Sequence, residues 1–272
     1  MIEISSSKNP LIKEIKGLHK KKYRWASNLF IMEGIKLIDE AINNDVIIKN
    51  IIYTDKLLMS NEGLDFFNRL NSLGKMIKVS EIIFKEISDT ENSQGVLATG
   101  FFVIRNSIEQ FDASNQFLLF LDGIQDPGNM GTIIRSADAF KVDGIVIGDN
   151  CVDTYNPKVV RATMGSIFRV PLYFVEDSID NLMQCKNNNF KIYATSLEGS
   201  VPNYDINYND KFIIIIGNES RGVDLNIIHI ADKLIKIPMP GNAESLNAGV
   251  AASIIMYEGM KQLGKKSWVF KC

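Results

Sequence analysis

The chain has 272 residues, the length of one large or two medium domains, with 46% of them hydrophobic and 23% charged. That balance buries a sizeable core and excludes a disordered or fibrous chain. Net charge is −2, yet residues 1–24 carry seven basic side chains (Lys8, Lys13, Lys16, Lys20, Lys21, Lys22 and Arg24) against Glu3 and Glu14, a local excess that suggests an anionic partner.

In chain order, Lys8 to Lys22 reads as a helix, because Leu11, Ile12, Ile15 and Leu18 repeat at helical spacing. A short apolar segment, Leu29 to Met32, precedes a helix at Gly34–Ile42, a strand at Val46–Tyr53, a helix at Leu64–Leu73 and a strand at Met76–Val79. A helix at Glu81–Ile87 and a strand at Gly95–Ile104 complete a first alternating unit, residues 1–105. The polar, aperiodic stretch that follows reads as a linker over 106–115. From 116 to 272 the alternation restarts with stronger strands. These are Phe117–Leu121, Gly144–Gly148, Val170–Val175, Lys191–Thr195, Phe212–Ile216 and Leu234–Ile237. Helices are expected at Gly131–Phe140, Pro157–Ile167, Ile179–Cys185 and Leu246–Gln262. Continuous apolar strands alternating with helices imply a parallel sheet covered on both faces, an α/β fold.

The most apolar stretch, Leu246 to Tyr257, is too short for a bilayer and carries Asn247 and Ser253, so no membrane partner is expected. The opening residues lack the apolar run of a signal peptide, and Cys151, Cys185 and Cys272 are widely spaced and form no CxxC pair. A cytoplasmic, reducing setting is therefore expected, rather than a disulfide framework or zinc ribbon.

Ligands in open parallel sheets bind outside the carboxyl ends of the strands. Three loops there are unusual in composition. Leu121 to Arg135 carries Gly123, Gly128 and Gly131 and ends on an arginine; Gly217-Asn-Glu-Ser-Arg-Gly222 follows the isoleucine run; Ile237 to Asn247 holds two prolines and leads into the last helix. Each also suits a plain turn or cap, with Ser245 or Asn247 as the cap of the final helix. Neither GxGxxG nor GxxxxGK(S/T) follows a strand, which argues against dinucleotide and P-loop sites. With His19 and His229 as the only histidines, no zinc site and no Ser-His-Asp triad is expected.

Together and in this order, the three loops resemble the motifs of the SpoU/TrmH family, the SPOUT-class RNA ribose 2′-O-methyltransferases. Asn129, Gly131 and Arg135 match the first motif, Gly217-Asn218-Glu219 with Arg221-Gly222 the second, and Ile237-Pro238-Met239 through Ser245-Leu246-Asn247 the third. The resemblance covers roughly 116–272; Ser6 to Lys13 and Phe30 to Gly34 resemble the L30e-like substrate-binding domain joined to many members. It implies a SPOUT domain with a deep C-terminal trefoil knot beside a smaller N-terminal α/β L30e-like domain. It also implies S-adenosylmethionine as methyl donor, no metal, and a homodimer with the active site near the subunit interface.

Carried over residue by residue, the resemblance implies a catalytic set of Arg135, Asn129, Glu219, Ser245 and Asn247 and a cofactor pocket at Gly217, Ile237 and Leu246; Thr195 is added as a candidate for the methionine part. Arginine is a poor base, its pKa being above about 12. Arg135 is therefore expected to orient an RNA phosphate or stabilise a developing alkoxide, and Glu219 to organise its loop. Lys20, Lys21, Lys22 and Arg24, with Tyr23 and Trp25 among them, are the expected RNA contacts, charge for phosphates and rings for unpaired bases; a solvated helix end with Trp25 in the core gives the same pattern. The expected substrate is 23S rRNA, with tRNA, or a non-catalytic role in RNA binding or ribosome assembly, as alternatives.

Overall fold

The computed structural model of the chain describes residues 2–71, 76–106, 116–197 and 201–264; the expected linker, 106–115, lies outside them except for Asn106. The chain divides into two compact units. One comprises the residues up to Val103 together with Asp153–Phe168; the other comprises Ile104–Val152 and the residues from Arg169 onward.

The first unit runs β1 (Ile2–Ile4), α1 (Pro10–Gly17), α2 (Lys21–Ser27), β2 (Leu29–Glu33), α3 (Ile35–Asn43), β3 (Ile48–Tyr53), α4 (Asn61–Asn71), β4 (Met76–Val79), α5 (Glu81–Ile87) and β5 (Val96–Phe101). Its sheet has the order β1-β4-β3-β5-β2, parallel from β1 to β3 and antiparallel where β5 pairs with β3 and β2. Ile12, Ile15 and Leu18 pack with Ile83, Phe84 and Ile87 of α5 against Leu29, Ile31, Ile52 and Leu97 of the sheet. The helix expected over 8–22 is two helices. Asn9 caps the first, its Oδ1 accepting from Leu11 N at 2.9 Å, and Pro10 supplies a preset φ. It stops after Gly17, and Lys20 is extended (φ −101°, ψ 131°), so α2 starts in a new direction.

The chain continues with β6 (Phe117–Leu121), α6 (Pro127–Ala139), β7 (Gly144–Ile147), α7 (Pro157–Ala162), β8 (Leu172–Phe174), α8 (Ser178–Asn187), β9 (Lys191–Thr195), β10 (Val201–Pro202), β11 (Phe212–Ile216), α9 (Leu225–Ile230), β12 (Lys233–Lys236) and α10 (Ala248–Gln262). Of these, α7 belongs to the first unit. The expected helix 157–167 ends early because Met164 and Gly165 both take positive φ (51° and 92°).

The second unit is a seven-stranded parallel sheet, order β10-β12-β9-β11-β6-β7-β8. Every residue of β6 and β11 is buried, as expected of strands covered on both faces. Leu182, Cys185 and Ile227 from α8 and α9 pack on Leu118, Phe120, Ile213 and Ile215. On α6 and α10, Ser136 and Ser253 share a hydroxyl hydrogen bond at 2.7 Å.

Candidate active site

The three motif loops leave the carboxyl ends of β6, β11 and β12, and Thr195 ends β9. In the sheet these strands are consecutive, β12-β9-β11-β6, so pairing alone gathers segments that lie up to 118 residues apart.

Helix α6 starts four residues earlier than its periodicity suggested, because Asp126 caps it (Oδ1 to Asn129 N, 2.7 Å) and Pro127 opens it. Asn129 therefore sits in a helical first turn and is buried. Its amide nitrogen donates to Glu219 Oε1 at 2.9 Å, and its Oδ1 accepts from Asn247 Nδ2 at 2.7 Å. The orientation is forced from both ends. An ionised carboxylate only accepts, so it takes the Nδ2 side of Asn129. Asn247 spends its own oxygen capping α10 (Val250 N, 3.2 Å), which leaves its Nδ2 to donate. One residue from each motif thus enters a single relay.

Glu219 also accepts from the amides of Gln125 and Asp126, both at 3.3 Å. Partial burial opposes its ionisation, but the Asn129 amide and these backbone N–H groups outweigh it and hold the carboxyl below its ordinary value. Glu219 thus anchors the second motif to the backbone of the first. Asn218, quoted above as part of the second motif but without a role, ties that motif to the first: Nδ2 donates to Gly123 O (2.7 Å) while Oδ1 accepts from Ser220 N and Arg221 N (3.0 and 3.1 Å). The Asn-x-x-Arg-Gly turn chemistry was the available signal. Gly217 permits this fold-back, since a Cβ there would lie 2.3 Å from Gly222 C and Val223 N.

Asp122, at the end of β6, was also missed. Burial pushes its carboxyl above the ordinary value and Asp224 and Asp149 add repulsion, against the Asp224 N–H (2.7 Å) and Arg221. Nearby, Cys151 donates to Leu121 O at 3.3 Å, and burial pushes its thiol up to about 11. Among the described residues no cluster of three or more His, Cys, Asp or Glu is placed to hold a metal.

The remaining catalytic candidates stand outside the relay. Arg135 lies six residues after Asn129, about 120° around the helix, on the exposed face of α6. It makes no ion pair among the described residues, and Ser245 is exposed without a hydrogen bond to them. Of the cofactor candidates, Gly217 is buried at the end of β11, and Thr195 donates to Ile215 O at 2.9 Å. Ile237 and Leu246 are half-buried at the two ends of the third loop.

The expected RNA contacts separate in the first unit. Lys20, Lys21, Lys22 and Tyr23 are exposed. Arg24 is the correction: it is 2% exposed and cannot meet a phosphate. Its Nε donates to Asp153 Oδ2 at 2.8 Å and its Nη1 to Leu18 O at 2.6 Å, while Nη2 also contacts Asp153. Trp25 gives its indole N–H to Asp153 Oδ1 at 3.0 Å and packs edge-on to Phe102 and Tyr155, so its ring serves the fold.

Comparison with known proteins agrees with this geometry. Residues 116–257 match the SpoU rRNA Methylase family, and residues 9–98 match the MRM3-like substrate binding domain. The 23S rRNA (guanosine(2553)-2′-O)-methyltransferase RlmP of Bacillus subtilis (strain 168) is 34% identical over 258 residues, 94% of this chain and 98% of that protein. An uncharacterised tRNA/rRNA methyltransferase, slr1673, of Synechocystis is 28% identical over 95% of this chain and 93% of its own. The crystal structure of an AdoMet-bound rRNA methyltransferase from Sinorhizobium meliloti superposes with a TM-score of 0.84 at 30% identity, covering 96% of this chain and 98% of that one. The chain belongs to the SpoU rRNA methylase family and is an S-adenosylmethionine-dependent RNA methyltransferase.

Proposed function

We propose that this chain methylates a ribose 2′-hydroxyl of 23S rRNA, acting as a cytoplasmic homodimer. The carrying observation is the Asn129–Glu219–Asn247 relay, which locks all three motif loops at one end of the sheet. The 23S substrate is supported by the RlmP relative, whose similarity spans both units.

S-adenosylmethionine, when bound, supplies a methyl group on a sulfonium centre. The residues fit such a group: Gly217 gives side-chain-free backbone, and Ile237 and Leu246 are apolar and only half-buried. They would hold the adenine through backbone groups, with Thr195 towards the methionine part. The relay fixes these loops, so that attack by the hydroxyl is a matter of positioning. Arg135, exposed and without an ion-pair partner among the described residues, clamps the RNA phosphate beside the target ribose or steadies the oxyanion as its proton leaves. Lys20, Lys21 and Lys22 add phosphate contacts from the first unit.

Dimerisation has a surface to use. Val250, Ile254 and Tyr257 are 46%, 37% and 44% exposed along one face of α10, an apolar stripe in want of cover. The knotted C-terminal segment belongs to the same reading, with α10 returning onto α6 after the third loop.

The test is methyl transfer from labelled S-adenosylmethionine to separated 23S, 16S and tRNA from a strain lacking this gene. Label is expected in 23S RNA as a 2′-O-methyl nucleoside; label in tRNA alone overturns the substrate. Arg135→Lys is expected to lose at least about 100-fold in rate, since the planar fork is gone. Near-normal turnover in that variant overturns the clamp.

A further inference from the structure

The first unit holds a cavity of about 370 Å³, within the range of roughly 300–1,000 Å³ typical of small-molecule sites. It is lined by Lys36, Leu37 and Glu40 of α3, by Gln94 just before β5, and by Arg161 and Met164 around the end of α7. Its frame is held from several sides. Glu33 accepts from the Ser88 hydroxyl (2.6 Å), the Thr90 hydroxyl and Asp89 N (3.1 Å), fixing the loop after α5. Asp89 in turn holds Arg161 Nη2 at 3.0 Å, and Gln94 Oε1 accepts from Ile35 N at 3.0 Å. Gly165 lets the turn after α7 lie directly on Glu40, because a Cβ there would be 2.9 Å from the Glu40 Cβ and Cγ.

The frame consumes acceptors and leaves donors. Glu33, Asp89 and the Gln94 oxygen are committed, whereas the Gln94 amide nitrogen has no partner among the described residues. Lys36 is exposed and makes no ion pair among the described residues, and 32% of the Arg161 side chain is exposed. Leu37 and Met164 add an apolar wall. Lys36, the partly exposed Arg161 beside Asp89 and an amide donor suit phosphate and carbonyl oxygens, and the wall suits the face of a ring. A single nucleotide carries all of these, but in a duplex its base is stacked and paired away.

We propose that this cavity takes one unpaired nucleotide of the RNA substrate, its phosphate on Lys36 and Arg161 and its base edge at Gln94. The proposal rests on RNA being the substrate, as argued above. It is tested by fluorescence anisotropy of the full chain with a labelled 12-nucleotide single-stranded RNA and with the same strand annealed to its complement. The wild type binds the single strand at least tenfold more tightly. Gln94→Glu keeps the oxygen that Ile35 N needs but replaces the donor with an anion, and weakens single-strand binding at least tenfold. Lys36→Gln weakens it several-fold and lowers the salt slope by about 0.7, the value for one phosphate on a single strand. Equal affinity for both RNAs, or wild-type affinity in both variants, overturns the proposal. S-adenosylmethionine binding stays unchanged throughout; its absence in the wild type counts instead against the proposed reaction.

Discussion

Two hydrogen-bonded networks in this protein are built on opposite plans. In the first unit, Asp153 is buried and both its oxygens are taken, by Arg24, the Trp25 indole and Tyr155 N. In the second, Asn129 is buried but its partners Glu219 and Asn247 are exposed, and the link is made by neutral amides on an anchored carboxylate. A desolvated ion pair in which every nitrogen and both carboxylate oxygens are engaged offers nothing to a ligand, so it holds structure. A relay that ends at the surface holds loops in place while leaving their outer faces free. Burial, not residue type, separates the two arginines: Arg24 serves the fold, and Arg135 stands exposed on α6, open to the role proposed for it.

The largest effect belongs to the buried pair. Arg24→Met strands an unpaired carboxylate and is expected to cost about 3–5 kcal/mol of stability. Replacing Asp153 by Leu at the same time is expected to recover much of that loss. Urea denaturation followed by circular dichroism measures both, and wild-type stability of the single variant would erase the contrast with the relay.

Asn129→Ala moves in the other direction. The exposed Glu219 and Asn247 turn to water, so stability is expected to change by only about 1 kcal/mol. The three loops lose their common link, and a displacement of about 1 Å at a reacting centre costs on the order of 100-fold in rate. Methyl transfer under single-turnover conditions, set beside the unfolding midpoint, reads the two quantities separately. A variant that unfolds as readily as Arg24→Met would place Asn129 among the structural residues.

Much of this was legible in the sequence. The apolar runs Phe117–Leu121 and Phe212–Ile216 mark central parallel strands, and the three loops carry their motif residues at the ends of the strands expected. Periodicity misplaced what local capping decides: α6 begins at Pro127 because of Asp126, and 8–22 breaks into two helices after Gly17. It also read Arg24 as one of a basic run, because its partner Asp153 lies 129 residues away and no local pattern reports it. The side-chain relay escaped for the same reason: Asn129 and Asn247 are 118 residues apart, and only the strand order makes them neighbours.

The smallest effect concerns pH. The Glu219 carboxyl titrates below its ordinary value when folded, because Asn129 and backbone amides favour its charged form over the opposing effect of partial burial. A depressed folded pKa adds stability that is complete above the unfolded value, about 4.3, and that disappears as pH falls through the folded one. Glu219→Gln cannot ionise and lacks that contribution at every pH. Melting curves of wild type and Glu219→Gln should therefore run at a constant separation from neutrality down to about pH 5, converge below about pH 4, and coincide in stronger acid. A wild type that was instead less stable than Glu219→Gln at neutral pH and rose to meet it on acidification would mean that the carboxyl titrates above its ordinary value, and would make Glu219 a candidate base.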